Sequence, residues 1–131
     1  MKLKYGNILF VLSGRYWRTL DLTWKVSRFV SRISQNDIVR DVEAALNVWS
    51  KVVKLNFVRV KEDEQATLAF QFVPRSHGDG FDFDGPGGIL AHAYYPYSVS
   101  YSGHIHFENS ETWTSTDPNC EPGNTSNIFI I

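Results

Sequence analysis

Cysteine is nearly absent: 131 residues contain one, Cys120. No disulfide can close within the chain, which excludes a disulfide-stapled scaffold. Charge is sparse and balanced, with 13 Lys+Arg against 14 Asp+Glu, 21% charged residues and a net charge of -1. That balance excludes the basic footprint of a nucleic-acid binder and the high charge of a disordered chain. No run reaches the roughly 18 apolar residues of a transmembrane helix. What the chain does have is 43% hydrophobic and 15% aromatic residues, enough for the core of one soluble domain. The apolar run Ile8–Leu12 is too short for a secretory signal and is preceded by Tyr5-Gly6-Asn7. Residues 1–13 are therefore expected to be an extended N-terminal extension packing along a domain that occupies 14–131.

Periodicity places the elements. Leu20, Leu22, Trp24 and Val26 alternate with polar residues, so Thr19–Phe29 reads as a strand with one inward face. Ile38, Val42, Ala45, Leu46, Trp49, Val52 and Val53 form one stripe of a helix over Gln35–Val53. Ser34 is its N-cap, with Asp37 at the capping-box position. Leu55–Val60 and Thr67–Val73 read as further strands, separated by the charged loop 61–65. Strand, helix and strand in this order predict a crossover and parallel pairing, hence an α/β unit. Gly88–Tyr95 and His104–Phe107 are short strands. Between them and the first half lies a long Gly- and Pro-rich loop, residues 75–88, and long loops in compact domains are usually functional.

All four histidines fall between positions 77 and 106. His77-Gly78-Asp79 puts an imidazole and a carboxylate on that loop, and two neighbouring strands supply His92 and either His104 or His106. The last two share a strand face, so spacing leaves the choice between them open. Three imidazoles and a carboxylate suit a closed Zn²⁺ site. Oxygen donors run alongside. Asp84-Gly85-Pro86-Gly87-Gly88 is a turn that exposes carbonyls beside a carboxylate, and Glu108 and Glu111 follow the histidine strand. Such hard donors suit Ca²⁺.

These motifs resemble a known family. His77-Gly78-Asp79, Phe83-Asp84-Gly85-Pro86-Gly87, Leu90-Ala91-His92-Ala93 and His106-Phe107, then Glu108, Glu111 and Trp113-Thr114, are similar to the catalytic domain of matrix metalloproteinases, the matrixins. Trp17, Leu22-Thr23, Ala45-Leu46, Trp49 and Leu55-x-Phe57 extend the likeness over residues 14–131. The resemblance implies a zincin-like α+β fold: a twisted, mostly parallel five-stranded sheet with one long helix packed on it. It implies a structural zinc on His77, Asp79, His92 and His106. It also implies a calcium on the Asp84 carboxylate, the carbonyls of Gly85, Gly87 and Ile89, and the carboxylates of Glu108 and Glu111. Leu90-Ala91 falls on the family's edge strand, which pairs with an extended peptide or protein substrate.

The departures carry expectations of their own. A further calcium site of the family uses aspartates where this chain has Thr67 and His104, so that site is expected to be lost. Glu108 stands where the family more often has Asp. The family's catalytic zinc needs His-Glu-x-x-His on a helix, with the Glu as general base, and this sequence contains no such motif. Residues 126–131 resemble the segment that opens that helix. Cys120, in Pro118-Asn119-Cys120-Glu121, is not the cysteine that blocks latent family members. The resemblance thus implies a zinc metalloendopeptidase of secreted proteins or extracellular matrix, present here as a fragment that is inactive, and poorly stable, by itself. A non-catalytic zinc- and calcium-binding module is the alternative, and an unrelated small zinc-binding α/β domain is the third reading. Asn124-Thr125-Ser126 is a glycosylation sequon, in keeping with an extracellular location.

Overall fold

A computed structural model describes residues 2–5, 8–11, 14–115 and 127–128, with side chains for 14–115. In chain order the elements are β1 (Lys2–Tyr5), β2 (Ile8–Val11), β3 (Asp21–Arg28), α1 (Gln35–Ser50), β4 (Asn56–Arg59), β5 (Leu68–Val73), β6 (Ala91–Ala93), β7 (His104–Glu108), β8 (Trp113–Thr114) and β9 (Asn127–Ile128). Five of them form one sheet in the order β4-β3-β5-β7-β6. β3, β4, β5 and β7 are parallel, and β6 runs antiparallel to β7 at the edge. This is the mostly parallel five-stranded sheet with one long helix that the sequence implied.

Period-two patterning sorts the two faces. Leu22, Trp24 and Val26 of β3 join Leu68, Phe70 and Phe72 of β5 and Phe107 of β7 in one apolar cluster. α1 adds Ile38, Val39, Val42 and Leu46 to it. Each such side chain, once fully buried, contributes about 1.5–3 kcal/mol, and Trp24 meets Phe70 edge-on at 6.2 Å. The alternate residues of the same strands fall on the other face: Thr23 and Lys25, Gln71, then His104 and His106. The core therefore fixes which way the histidines point.

The N-terminus of α1 is capped as expected, with Ser34 Oγ accepting from the Asp37 N–H at 3.1 Å. Asp37 is one carbon shorter than the usual Glu, and its carboxylate accepts from the Ser34 hydroxyl at 2.6 Å. The end of the helix differs from expectation. It stops at Ser50, and Trp49 and Val52 stand 50% and 73% exposed. The apolar spacing continues in the sequence, but its cover ends at Leu46, since β4 is a four-residue edge strand. Asp41, also on α1, is buried and accepts from Ser115 Oγ at 2.7 Å, which ties the helix to the segment after β8.

Two other segments correct the sequence reading. Lys2–Tyr5 and Ile8–Val11 pair antiparallel instead of forming one extended stretch. The signal was present, since Gly6-Asn7 separates two apolar-containing runs by a two-residue hairpin dipeptide. Asn127–Ile128 pairs in parallel with Trp113–Thr114, where the resemblance implied the first turn of a helix. Ladder hydrogen bonds to β8 satisfy there what a helix would satisfy internally. Cys120, the Asn124 sequon and residues 129–131 lie outside the described residues.

Gly103 closes the turn into β7 under tight constraint. Its φ is +72°, and a Cβ there would lie 2.1 Å from the Thr67 carbonyl oxygen. The same Gly103 carbonyl accepts from Ala69 N–H at 3.0 Å, so neither backbone can retreat. Gly103→Ala is expected to destabilise the fold by roughly 3 kcal/mol, within the range for strained and overpacked sites, read as a lower urea midpoint.

Candidate metal centre

Register does the first part of the assembly. In the β6–β7 ladder His92 sits directly opposite His106. The ladder continues on both sides through Tyr94 N–H to the His104 carbonyl and Glu108 N–H to the Leu90 carbonyl. His92 Nε2 and His106 Nδ1 consequently stand 3.1 Å apart. His104 shares the face of His106, yet its Nδ1 is 3.1 Å from Gln71 Nε2 and it stays outside the cluster. Burial and the Lys25 charge lower the pKa of His104.

The loop supplies the rest. Phe83 is 1% exposed, stacks on His77 at 5.2 Å and on His92 at 4.7 Å, and so pins the loop to the sheet. Its N–H donates to the Arg75 carbonyl, closing the loop on itself. Gly78 and Gly80, both at positive φ, bracket Asp79 and let the backbone double back so that the carboxylate points inward. Asp79 Oδ1 accepts from Phe81 N–H at 2.9 Å. Asp79 Oδ2 lies 2.7 Å from His77 Nε2, 2.8 Å from His92 Nε2 and 3.0 Å from His106 Nδ1. The side chains of Asp79, His77 and His106 are 0%, 1% and 4% exposed, and that of His92 is 22% exposed.

The polar atoms here are mutually mismatched without a cation. His77 Nδ1 lies 3.1 Å from the Pro74 carbonyl, the acceptor for its proton. In the neutral ring Nε2 then carries a lone pair, and it faces a carboxylate oxygen. That oxygen is approached by three imidazole nitrogens and by the Tyr94 hydroxyl at 2.6 Å, more partners than its lone pairs can serve. Three imidazolium rings could not share the space. Burial pushes His106 down to about 4, and the charges of His77 and His92 reinforce this against the pull of Asp79. Burial pushes Asp79 up, but hydrogen bonds from Tyr94, Phe81 N–H, His77 and His92 outweigh it and hold the carboxyl below its ordinary range. Burial and then Asp79 raise the Tyr94 phenol. A His106 ring disfavoured from protonation beside an ionised Asp79 is in keeping with metal binding, which takes neutral imidazole and carboxylate. A tetrahedral zinc with ligands at about 2.0–2.1 Å sets its donors about 3.3 Å apart; the His77–His92 separation is 3.4 Å, and the other donor separations run from 2.7 to 3.1 Å. The donor set fits zinc.

The oxygen donors are arranged more loosely. Glu108 and Glu111 are buried against the 84–89 turn. Glu108 Oε2 accepts from Gly85 N–H at 3.3 Å, Glu111 Oε1 from Gly87 N–H at 2.7 Å, and Asp84 Oδ1 from Ile89 N–H at 2.8 Å. Among the described residues, only the His77, Asp79, His92 and His106 group brings three or more His, Cys, Asp or Glu donors within 4.8 Å of one another. Thr67 and His104 are turned to Thr23 and Gln71 respectively.

Leu90 precedes β6 and Ala91 opens it, and the strand's outer edge faces away from β7. Beside it runs a groove of about 510 Å³ lined by Phe81, Ile89, His92, Ala93, Tyr94 and Tyr95 among others. Sequence reasoning missed Phe83 as the loop anchor and Tyr94 as a partner of Asp79. Tyr94 was legible: two residues beyond His92 on a strand, it must share that residue's face.

Sheet, helix and a His/Asp centre on a glycine-rich loop define an α/β domain with a candidate metal centre. The matrixin family profile matches residues 16–130, and the chain belongs to that family. It is 44% identical to human stromelysin-3 over 108 residues, 82% of this chain and 22% of that protein. It is 45% identical over 105 residues to matrix metalloproteinase-2 of Drosophila melanogaster, covering 79% of this chain and 13% of that protein. Human neutrophil collagenase is 34% identical over 126 residues, 96% of this chain and 25% of the relative. The chain thus spans about a quarter or less of the length of these relatives.

Phe83→Ala removes a buried ring from beneath two of the imidazoles. The expected cost is about 3–5 kcal/mol in global or loop stability. Urea unfolding and protease nicking within residues 75–88 check it, with faster nicking expected.

Proposed function

We propose that this chain carries the structural-metal and substrate-strand part of a matrixin zinc metalloendopeptidase domain, residues 14–131, with 1–13 as an extension. The observation that carries this reading is the convergence of His77, Asp79, His92 and His106 on one oxygen-centred cluster. Zinc held there would cross-link the loop to β6 and β7 and would do no chemistry itself, since a closed site keeps no position for water. Calcium would be held by Asp84, Glu108, Glu111 and the carbonyls of Gly85, Gly87 and Ile89. A fully buried carboxylate such as Glu108 is costly without a neighbouring positive charge, which favours a cation there. No calcium is proposed at Thr67 and His104.

An extended peptide would add as a strand along β6 at Leu90-Ala91, with apolar side chains reaching the adjacent groove. Secreted or extracellular-matrix proteins are the substrate class, by family. The sequence holds no His-Glu-x-x-His, so these 131 residues by themselves are proposed to hydrolyse no peptide. The same observation favours a second reading, a non-catalytic zinc- and calcium-binding module. Transcript sequence past Ile131 separates the two: an in-frame His-Glu-x-x-His soon after supports the protease, and a stop codon there supports the module.

Metal analysis tests the centre. The purified chain is expected to hold one zinc that is lost in His92→Ala and in His106→Ala and kept in His104→Ala. Zinc retained after replacing His77, His92 and His106 together would remove the assignment. No cleavage of a generic quenched peptide is expected at any zinc loading.

A further inference from the structure

Among the described residues, one side chain outside the donor set hydrogen-bonds to the carboxylate of the centre. Tyr94 donates its hydroxyl to Asp79 Oδ2 at 2.6 Å, the same oxygen that faces the three imidazole nitrogens. Its position is fixed independently of that bond. The Tyr94 N–H continues the β6–β7 ladder to the His104 carbonyl. Its ring meets His92 and His106 edge-on, each at 5.6 Å, and packs on Tyr101 at 5.2 Å. The other anchor of Asp79 is the Phe81 N–H on Oδ1. The two hydrogen bonds hold the two oxygens separately, so the carboxylate can neither rotate nor exchange them.

We infer that Tyr94 is a positioning residue for the metal centre, its hydroxyl locking Asp79 Oδ2 onto the point where the imidazoles converge; this rests on the zinc reading above. A carboxylate oxygen has lone pairs for both a metal and one hydrogen bond. Outer-shell partners of this kind typically change metal affinity 10- to 100-fold. Tyr94→Phe is the clean probe, because it keeps the ring in the ladder, against the histidines and in the groove wall. Tyr101→Phe is the control: its hydroxyl donates to the Gly78 carbonyl at 3.1 Å, a loop atom outside the donor set.

The test is the rate of zinc transfer from the loaded protein to a chromogenic chelator, with the urea midpoint of the zinc-loaded protein measured in parallel. Tyr94→Phe is expected to release zinc 10- to 100-fold faster than the parent, and Tyr101→Phe within about 3-fold of it. Equal rates for Tyr94→Phe and the parent, or equal acceleration by both variants, would overturn the inference. Failure of the zinc reading looks different: the parent itself would carry no zinc, or His92→Ala would keep it.

Discussion

The antiparallel pairing of β6 with β7 sets His92 opposite His106, and the loop side of the molecule is organised around that pair. A strand shifted by one residue sends all its side chains to the other face. Such a slip in β7 would put Ile105 and Phe107 where the imidazoles are. The apolar core prevents this, because Phe107 stacks on Phe72 at 5.3 Å and meets Trp113 at 5.5 Å on the helix side. Packing on one face thus enforces chemistry on the other. The helix never touches the centre, yet its cover is one reason the register holds.

The second constraint is the loop. Residues 75–88 contain little regular structure, and their backbone has few ladder partners of its own. They are held by side chains instead: Phe83 beneath the histidines, and Asp79 inside them. This explains why the loop can be long without being unanchored. It also fits the placing of two of the loop's five glycines, Gly78 and Gly80, on either side of the inward-pointing Asp79 carboxylate.

Much of this was legible in the residues. The period-two pattern of β3 and β5 gave the inward face, and the His77-x-Asp79, His92 and His106 set came from clustering together with family likeness. Spacing left His104 and His106 equivalent, because both lie on one strand face. The difference is what β6 sets opposite each: His92 faces His106, whereas Tyr94 N–H meets the His104 carbonyl and the His104 ring turns to Gln71, and that is a property of strand pairing rather than of sequence interval. The helix end was misjudged for a related reason. Apolar spacing continued past Ser50, but burial depends on what lies beneath, and periodicity carries no information about the width of the sheet. The Asn127–Ile128 strand went against family likeness because pairing with a distant segment overrides local preference.

The donors of the centre all come from one stretch of chain, positions 77 to 106, while the core draws on residues from Leu22 to Trp113. A cross-link mainly restrains the segment it spans. An ion at this centre would therefore make a cooperative unit of the loop, β6 and β7, and leave α1 and β3 to the apolar core. With an ion bound, the loop, β6 and β7 would answer to ligand concentration, and the rest of the sheet with α1 to hydrophobic burial. Amide hydrogen exchange in the loop and β6 would then follow free metal, while exchange in β3 would follow denaturant.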